Sequence, residues 1–277
     1  MLRSLILRLP FQRRTNSPVP ITLILGCARS GTSILGELIA SHPQVLYTFE
    51  SAIWEKAVKS PQASHRLSAA DVDERVRRQI ARYFARKMRR HGRPGMVLLE
   101  KNPRNCLRVP FLHALFPQAK FIHIVRDGRD VACSLLPGIG GEEWSHLKPP
   151  NWQELLQNYQ GIQRCGMTWK TVVELALADL QSVPHLQVRY EDLVSRPVET
   201  AQSIFDFMGL EPHPDTLAFA SRIQDKTEDS YHAGKQEMWY RDDHQRRIGR
   251  WRQNLSPADQ DSLQQMLEPL LRRLNYV

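Results

Sequence analysis

The sequence predicts an α/β fold of three layers, with a central, mostly parallel sheet flanked by helices. Three observations lead there. Short apolar runs of strand length alternate with longer stretches of helical period. The runs lack a polar face, as strands covered by helices on both sides do. The first run, Pro20-Ile-Thr-Leu-Ile-Leu-Gly26, ends in glycine and passes straight into a helical pattern, the opening of a doubly wound sheet.

The elements follow in order. Residues 33–40 carry Ile34, Leu35, Leu38 and Ile39 at helical spacing and stop at His42-Pro43. Val45 to Phe49 reads as a second short strand, expected beside the first. Residues 69–91 read as one long helix, with Val72, Val76, Ile80, Phe84 and Met88 on the inner face and a row of arginines from Arg75 to Arg90 on the solvated one. Gly92-Arg-Pro-Gly95 stops it. Residues 96–99 are a strand, 108–116 a helix, 119–125 a strand, and 127–136 a helix broken by Pro137-Gly138. Residues 152–180 are mostly helical, 186–190 a strand, and 197–208 a helix closed by Gly209. Residues 211–250 are polar and rich in turn formers, so a long loop with short helices is expected; 257–274 form a last amphipathic helix. No repeat or linker interrupts the pattern. Residues 20–277 therefore read as a single domain preceded by an N-terminal arm, 1–19.

Composition sets limits. Of 277 residues, 42% are hydrophobic and 24% charged, the balance of a soluble globular chain. A formal charge of +9 suits an anionic partner without choosing among nucleotide, nucleic acid, acidic substrate and membrane surface. Cys27, Cys106, Cys133 and Cys165 show no C-x-x-C or zinc spacing, so reduced thiols and a cytoplasmic location are expected. The histidines are scattered, with no metal-ligand spacing. The arm, MLRSLILRLPFQRR, has an apolar run too short, and too interrupted by Arg8, for a signal peptide or a membrane span. It supports at most a weak peripheral membrane contact.

The first chemical signal is Gly26-Cys-Ala-Arg29-Ser30-Gly31-Thr32-Ser33, which joins a strand to a helix. Main-chain N–H groups in such a turn, with a helix N-terminus behind them, cradle phosphate-like oxyanions. Gly31 permits close approach, and Thr32 and Ser33 supply hydroxyls. The glycine spacing is that of a nucleoside-triphosphate P-loop, which makes the fold P-loop-NTPase-like. The lysine such a loop needs is absent, because Thr32 stands in its place and the cation has moved to Arg29.

The second signal, Phe121-Ile-His-Ile-Val-Arg126-Asp-Gly-Arg129-Asp-Val-Ala-Cys-Ser134, is again strand, turn, helix. Arg126 lies at the carboxyl end of its strand, where open α/β sheets bind ligands, and Ser134 lies about two helical turns further on. A guanidinium and a hydroxyl so spaced suit one phosphate.

Together these segments resemble the sulfotransferase family that uses 3′-phosphoadenosine 5′-phosphosulfate. The resemblance implies that Arg29, Ser30, Gly31, Thr32 and Ser33 bind the 5′-phosphosulfate, and Arg126 and Ser134 the 3′-phosphate. Val188-Arg-Tyr190-Glu-Asp-Leu193 looks like the family segment whose tyrosine, here Tyr190, contacts the adenine. Arg247-Ile-Gly249-Arg250-Trp251 looks like the late loop that closes over the 3′-phosphate. Many relatives have Pro at the position of Ala28 and Thr at Ser33; both departures are small.

The implied activity is sulfuryl transfer to a hydroxyl acceptor (carbohydrate, small molecule or tyrosyl), with the nucleotide as co-substrate and no metal. Arg29, inside the cradle, would stabilise charge on the departing phosphate oxygen. The cytosolic small-molecule branch takes its base from a Lys-Thr-His segment. Here the stretch reads Glu100-Lys101-Asn102-Pro103, so that histidine is missing. The tyrosylprotein branch uses a glutamate downstream of the phosphate loop, and Glu50 stands at a closely similar spacing. Glu50 is thus the expected base, at the end of the second strand, with Glu100 and His42 as rivals. By the same resemblance Lys101 contacts the sulfuryl group. Asp127, Asp130 and Asp192 are expected to support helix starts. The tryptophans Trp144, Trp152, Trp169, Trp239 and Trp251 are expected mainly in the core. Two other readings stay open. One is a P-loop kinase, which the missing lysine disfavours. The other is a non-catalytic nucleotide- or RNA-binding protein; no RNA-recognition motif supports it, and no nucleic-acid partner is expected.

Overall fold

A computed structural model describes residues 20–58, 64–140, 147–224 and 244–277. The N-terminal arm, Trp144, Trp239 and parts of 51–68, 137–152 and 223–245, the segments expected from the sequence to line an acceptor pocket, lie outside the described residues. Among the described residues, five strands form one fully parallel sheet: β1 Ile21–Leu25, β2 Val45–Phe49, β3 Val97–Lys101, β4 Lys120–Val125 and β5 His185–Arg189, in the order β2-β3-β1-β4-β5.

The helices are α1 Thr32–Ala40, α2 Ile53–Ala57, α3 Glu74–His91, α4 Val109–Leu115, α5 Gly128–Ile139, α6 Trp152–Asn158, α7 Gly161–Leu180, α8 Tyr190–Ser195, α9 Pro197–Met208, α10 Pro214–Gln224, α11 Trp251–Asn254 and α12 Pro257–Arg273. Side chains alternate across each strand. Leu23, Leu25, Leu98 and Phe121 join a core with α2 to α5, α7 and α12. Ile24, Leu99, Ile122 and Ile124 join a second core with α1 and α8 to α10. The sheet is thus covered on both sides.

Several expectations are corrected. β2 pairs with β3, not with β1, because β3 inserts between them. The helix expected over 69–91 is two pieces. Ala69–Asp71 is a 3-10 turn closed by a Ser68/Asp71 capping box. The side chain of Asp73 then accepts from Val76 N at 2.6 Å and starts α3 anew. α5 runs through Pro137 to Ile139 instead of stopping before it. Its end is held from α7, where Arg164 Nη1 donates to Ile139 O at 3.0 Å. The stretch 152–180 breaks at Tyr159 and Gln160 into α6 and α7, and 211–250 contains α10. Trp54 and Trp169 are fully buried in the first core, as expected of Trp169.

Candidate active site

The carboxyl ends of the strands point to one rim of the sheet, and a cleft of ≈ 390 Å³ opens there. Ligand pockets run to roughly 300–1,000 Å³, so the size suits one small ligand.

The loop between β1 and α1 forms its floor. Ser30 N donates to Cys27 O at 3.0 Å, which tightens the turn. Gly31 has φ +94°, and a Cβ there would lie 2.4 Å from Tyr190 Cδ2, so only glycine fits. Arg29 also adopts a left-handed conformation, φ 72°. Among the described residues Glu50, φ 39°, and Asn275, φ 60°, are the other non-glycine residues with positive φ. Such strain tends to gather at functional sites, and both Arg29 and Glu50 line this cleft.

Gly31, Thr32, Ser33, Arg126, Ser134, Tyr190 and Arg247 line it as well. Ser30 does not; it is buried beneath the loop, with its Oγ lacking a hydrogen-bond partner. At one end, Lys101 Nζ donates to Glu50 Oε1 at 2.7 Å and to Ser33 Oγ at 3.3 Å. It lies 3.7 Å from the centroid of the Phe49 ring. Burial lowers the Lys101 pKa, and the Glu50 carboxylate works against that shift. Lys101 is fully buried, whereas 43% of the Glu50 side chain is exposed, so the carboxylate reaches the cleft and the ammonium supports it from behind.

The rival bases sit elsewhere. Glu100 is wholly buried, accepting from Trp54 Nε1 at 3.0 Å, Asn105 Nδ2 at 2.7 Å and Ser51 N at 3.3 Å. Burial pushes its pKa up to about 7. Neighbours on a strand face opposite ways, so Glu100 and Lys101 belong to different sides of the sheet. His42 is buried against Phe205, bonded to Glu211 O at 2.9 Å, and does not line the cleft.

At the other end Arg126, also buried, donates Nη1 to Arg29 O at 3.2 Å and Nη2 to Arg247 O at 2.5 Å. Its guanidinium lies 4.3 Å from the Tyr190 ring centroid. Arg126 Nε is buried without a hydrogen-bond partner. Arg29 Nε donates to Ser134 Oγ at 2.9 Å, so two residues expected at different phosphates touch each other. Of the late loop Arg247 lines the cleft, whereas the adjoining Gly249, Arg250 and Trp251 do not. Trp251 is buried under the Arg129 guanidinium, 4.3 Å from the ring centroid.

Sequence reasoning missed several cleft residues. Arg104 and Asn102 follow β3; Arg104 Nη1 is held by Glu55 Oε1 at 2.9 Å, and Asn102 caps the turn Pro103–Leu107. His244 bonds the Tyr190 hydroxyl through Nδ1 at 2.9 Å. Asp127 caps α5 as expected, but Asp130 instead accepts from Gly249 N and Trp251 N. No local pattern signals the Asp130 and His244 contacts, because the partners are far apart in sequence.

A strand–loop–helix cradle, a buried arginine and a paired carboxylate meet at the carboxyl rim of a parallel sheet, an arrangement with the chemistry to bind phosphate-like anions. Residues 20–215 match the model described as the sulfotransferase family, and the chain belongs to that family. It is 27% identical over 207 residues to a protein-tyrosine sulfotransferase of Drosophila melanogaster, covering 70% of this chain and 38% of that protein. This chain spans about half the length, or less, of the first curated relatives it matches. The fold is similar to the sulfotransferase domain from the curacin biosynthetic pathway, with a TM-score of 0.58 at 16% identity over 91% of this chain and 98% of that one. It is also similar to mouse sulfotransferase SULT7A1 complexed with PAP, with a TM-score of 0.52 at 17% identity over 92% and 85% of the two chains. Among the described residues no helix is long and apolar enough to cross a membrane.

Proposed function

We propose that this chain transfers a sulfuryl group from 3′-phosphoadenosine 5′-phosphosulfate to an acceptor hydroxyl. The observation that carries the reading is the meeting, in one cleft, of the Arg29–Ser33 cradle, the Arg126–Ser134 pair and the Glu50–Lys101 pair. The lining fits a nucleotide that carries phosphate-like anions. Arg29 and Arg126 supply cations, and Arg126 Nε is a buried polar atom that lacks a protein partner. The mouse protein solved with PAP and the Drosophila relative named for tyrosine sulfation support the same nucleotide and reaction class. We read residues 20–277 as one domain, with α12 packed on α5 and α7.

In this reading Glu50 accepts the proton of the acceptor hydroxyl. The acceptor oxygen bonds to sulfur as the bond from sulfur to the bridging phosphate oxygen breaks, and the electron pair stays on that oxygen. Arg29 stabilises the charge developing there. Lys101 orients the Glu50 carboxylate through their hydrogen bond and places a positive charge beside Ser33. Arg126, Ser134 and the 247–251 segment hold the 3′-phosphate, and Tyr190 braces the cradle against the adenine side. Positioning and electrostatics do the work, as in phosphoryl transfer. Carbohydrate, small-molecule and tyrosyl hydroxyls are the acceptor classes to test. The four free cysteines support a reducing compartment, in keeping with a cytoplasmic location.

The test is incubation with the phosphosulfate nucleotide and a panel of sugar, phenol and tyrosyl-peptide acceptors, read by mass spectrometry. A sulfated product formed together with adenosine 3′,5′-bisphosphate supports the reading. No transfer to any acceptor and no bisphosphate release count against it.

A further inference from the structure

We infer that Asp130 is a positioning residue, which grips the main chain of 249–251 so that this segment and Arg126 form a single anion site. The inference rests on the functional reading above, in which that anion is the 3′-phosphate of the nucleotide.

Asp130 is the third residue of α5, where a carboxylate ordinarily serves its own helix start. That duty is already met. Asp127 accepts from Arg129 N at 2.9 Å and pairs with the Arg129 guanidinium at 2.7 Å. Asp130 is fully buried and directs both oxygens to another part of the chain. Its Oδ2 accepts from Gly249 N at 2.7 Å and its Oδ1 from Trp251 N at 3.1 Å. Gly249 has φ +72°, the left-handed conformation found at this bend.

Arg126, one turn before Asp130 and 3.7 Å from it, completes the clamp by donating to Arg247 O. The segment is therefore held through its backbone. The side chains of Arg247 and Arg250 take no part in these bonds. Arg126 Nε and Arg250 Nε are both buried and lack an acceptor. Buried guanidinium donors without partners are costly. Two of them, one just before α5 and one in the segment that Asp130 ties to that helix, mark a place for the oxygens of an anion. Asp130 determines whether the second of these arginines stands beside the first.

An amide is the informative replacement. In Asp130→Asn the shape is kept, but one oxygen becomes an NH₂ that faces a main-chain N–H, so one of the two bonds is lost. Gly249→Ala disturbs the same bend from the other side, since a Cβ there is strained by φ +72° and lies 2.8 Å from Arg252 Nη1.

The experiment titrates wild type, Asp130→Asn and Gly249→Ala calorimetrically with adenosine 3′,5′-bisphosphate and with adenosine 5′-phosphosulfate, which lacks the 3′-phosphate. Loss of a hydrogen bond to a charged group predicts affinity for the bisphosphate lower by about 10- to 100-fold in both variants. Affinity for the 5′-phosphosulfate should stay within about threefold, and KM for the full nucleotide should rise with little change in kcat. Equal losses for both nucleotides, or unchanged discrimination, overturn the positioning role. If Asp130→Asn does not fold, Gly249→Ala decides by the same criteria. A wild-type protein with no preference for the bisphosphate overturns the functional reading itself, which is a different result from either.

Discussion

Arg29 Nε donates to Ser134 Oγ at 2.9 Å, tying the phosphate loop to the second turn of α5. Both residues line the cleft, at the end where Arg126 lies. Ser134 Oγ accepts from Arg29 and can still donate its O–H to a phosphate, so one hydroxyl can join the Arg29 guanidinium to that anion. Arg29 has a left-handed backbone, and its side chain lines the cleft.

Arg29→Ala removes the cation that the proposed mechanism sets against the departing oxygen. Turnover should fall by on the order of 10²–10³-fold, the scale of one preorganised transition-state donor. Binding of adenosine 3′,5′-bisphosphate should fall far less, because Arg126 and Ser134 remain. Initial rates at saturating nucleotide and acceptor check this; an active Arg29→Ala enzyme would remove Arg29 from the chemistry.

Glu50→Gln keeps the side-chain shape and removes the proposed base. We expect kcat lower by roughly 10²–10⁴-fold. Calorimetric affinity for the bisphosphate should be nearly unchanged, since Glu50 lies at the far end of the cleft from Arg126. Retained kcat would shift the role of base to another group.

Glu100 gives a pH signature of stability. Its carboxyl titrates near 4.5 in the unfolded chain and at about 7 in the fold. Between those values the native state binds more protons, so stability falls as pH rises through this window and levels off above it. Urea unfolding at several pH values should show a loss of about 2–3 kcal/mol across the window and a flatter profile for Glu100→Gln. Parallel profiles for the two proteins would contradict it.

His123, buried on β4 with neither ring nitrogen bonded, has the opposite direction of shift. Burial pushes its pKa down to about 3, from 6.5. Below the unfolded value the unfolded chain binds the extra proton, so the histidine costs stability increasingly as pH falls toward 3. His123→Leu should match or exceed wild type at neutral pH, and its advantage should widen by about 1 kcal/mol per pH unit below pH ~6. An advantage that does not change with pH would show that His123 is not the group responsible.

Local chemistry made much of this legible in the sequence. The strands showed as apolar runs, and the cradle showed because glycine spacing and a strand–helix junction are properties of neighbouring residues. Strand order was not local: nothing in Val45–Phe49 says that β3 lies between it and β1. The split before α3 was missed because inner-face residues from Val72 to Met88 keep helical spacing across it, although Asp73 is an N-cap residue. Glu50 and Glu100 looked alike as carboxylates near strand ends. Strand alternation does not separate them: Thr48 pairs with Glu100 and Phe49 with Lys101, so a continued β2 would put Glu50 on the side of Glu100, but Glu50 leaves the strand with φ 39° and meets Lys101 instead. Asp130 and His244 reach partners that only the tertiary fold brings near.

The most direct measurement is calorimetric titration of the wild-type chain with adenosine 3′,5′-bisphosphate, with AMP and ATP as controls. The account predicts tight binding of the bisphosphate and weak binding of both controls, because the Arg126–Ser134 end recognises a 3′-phosphate that neither control carries. Equal affinity for all three, or no binding of the bisphosphate, would contradict it.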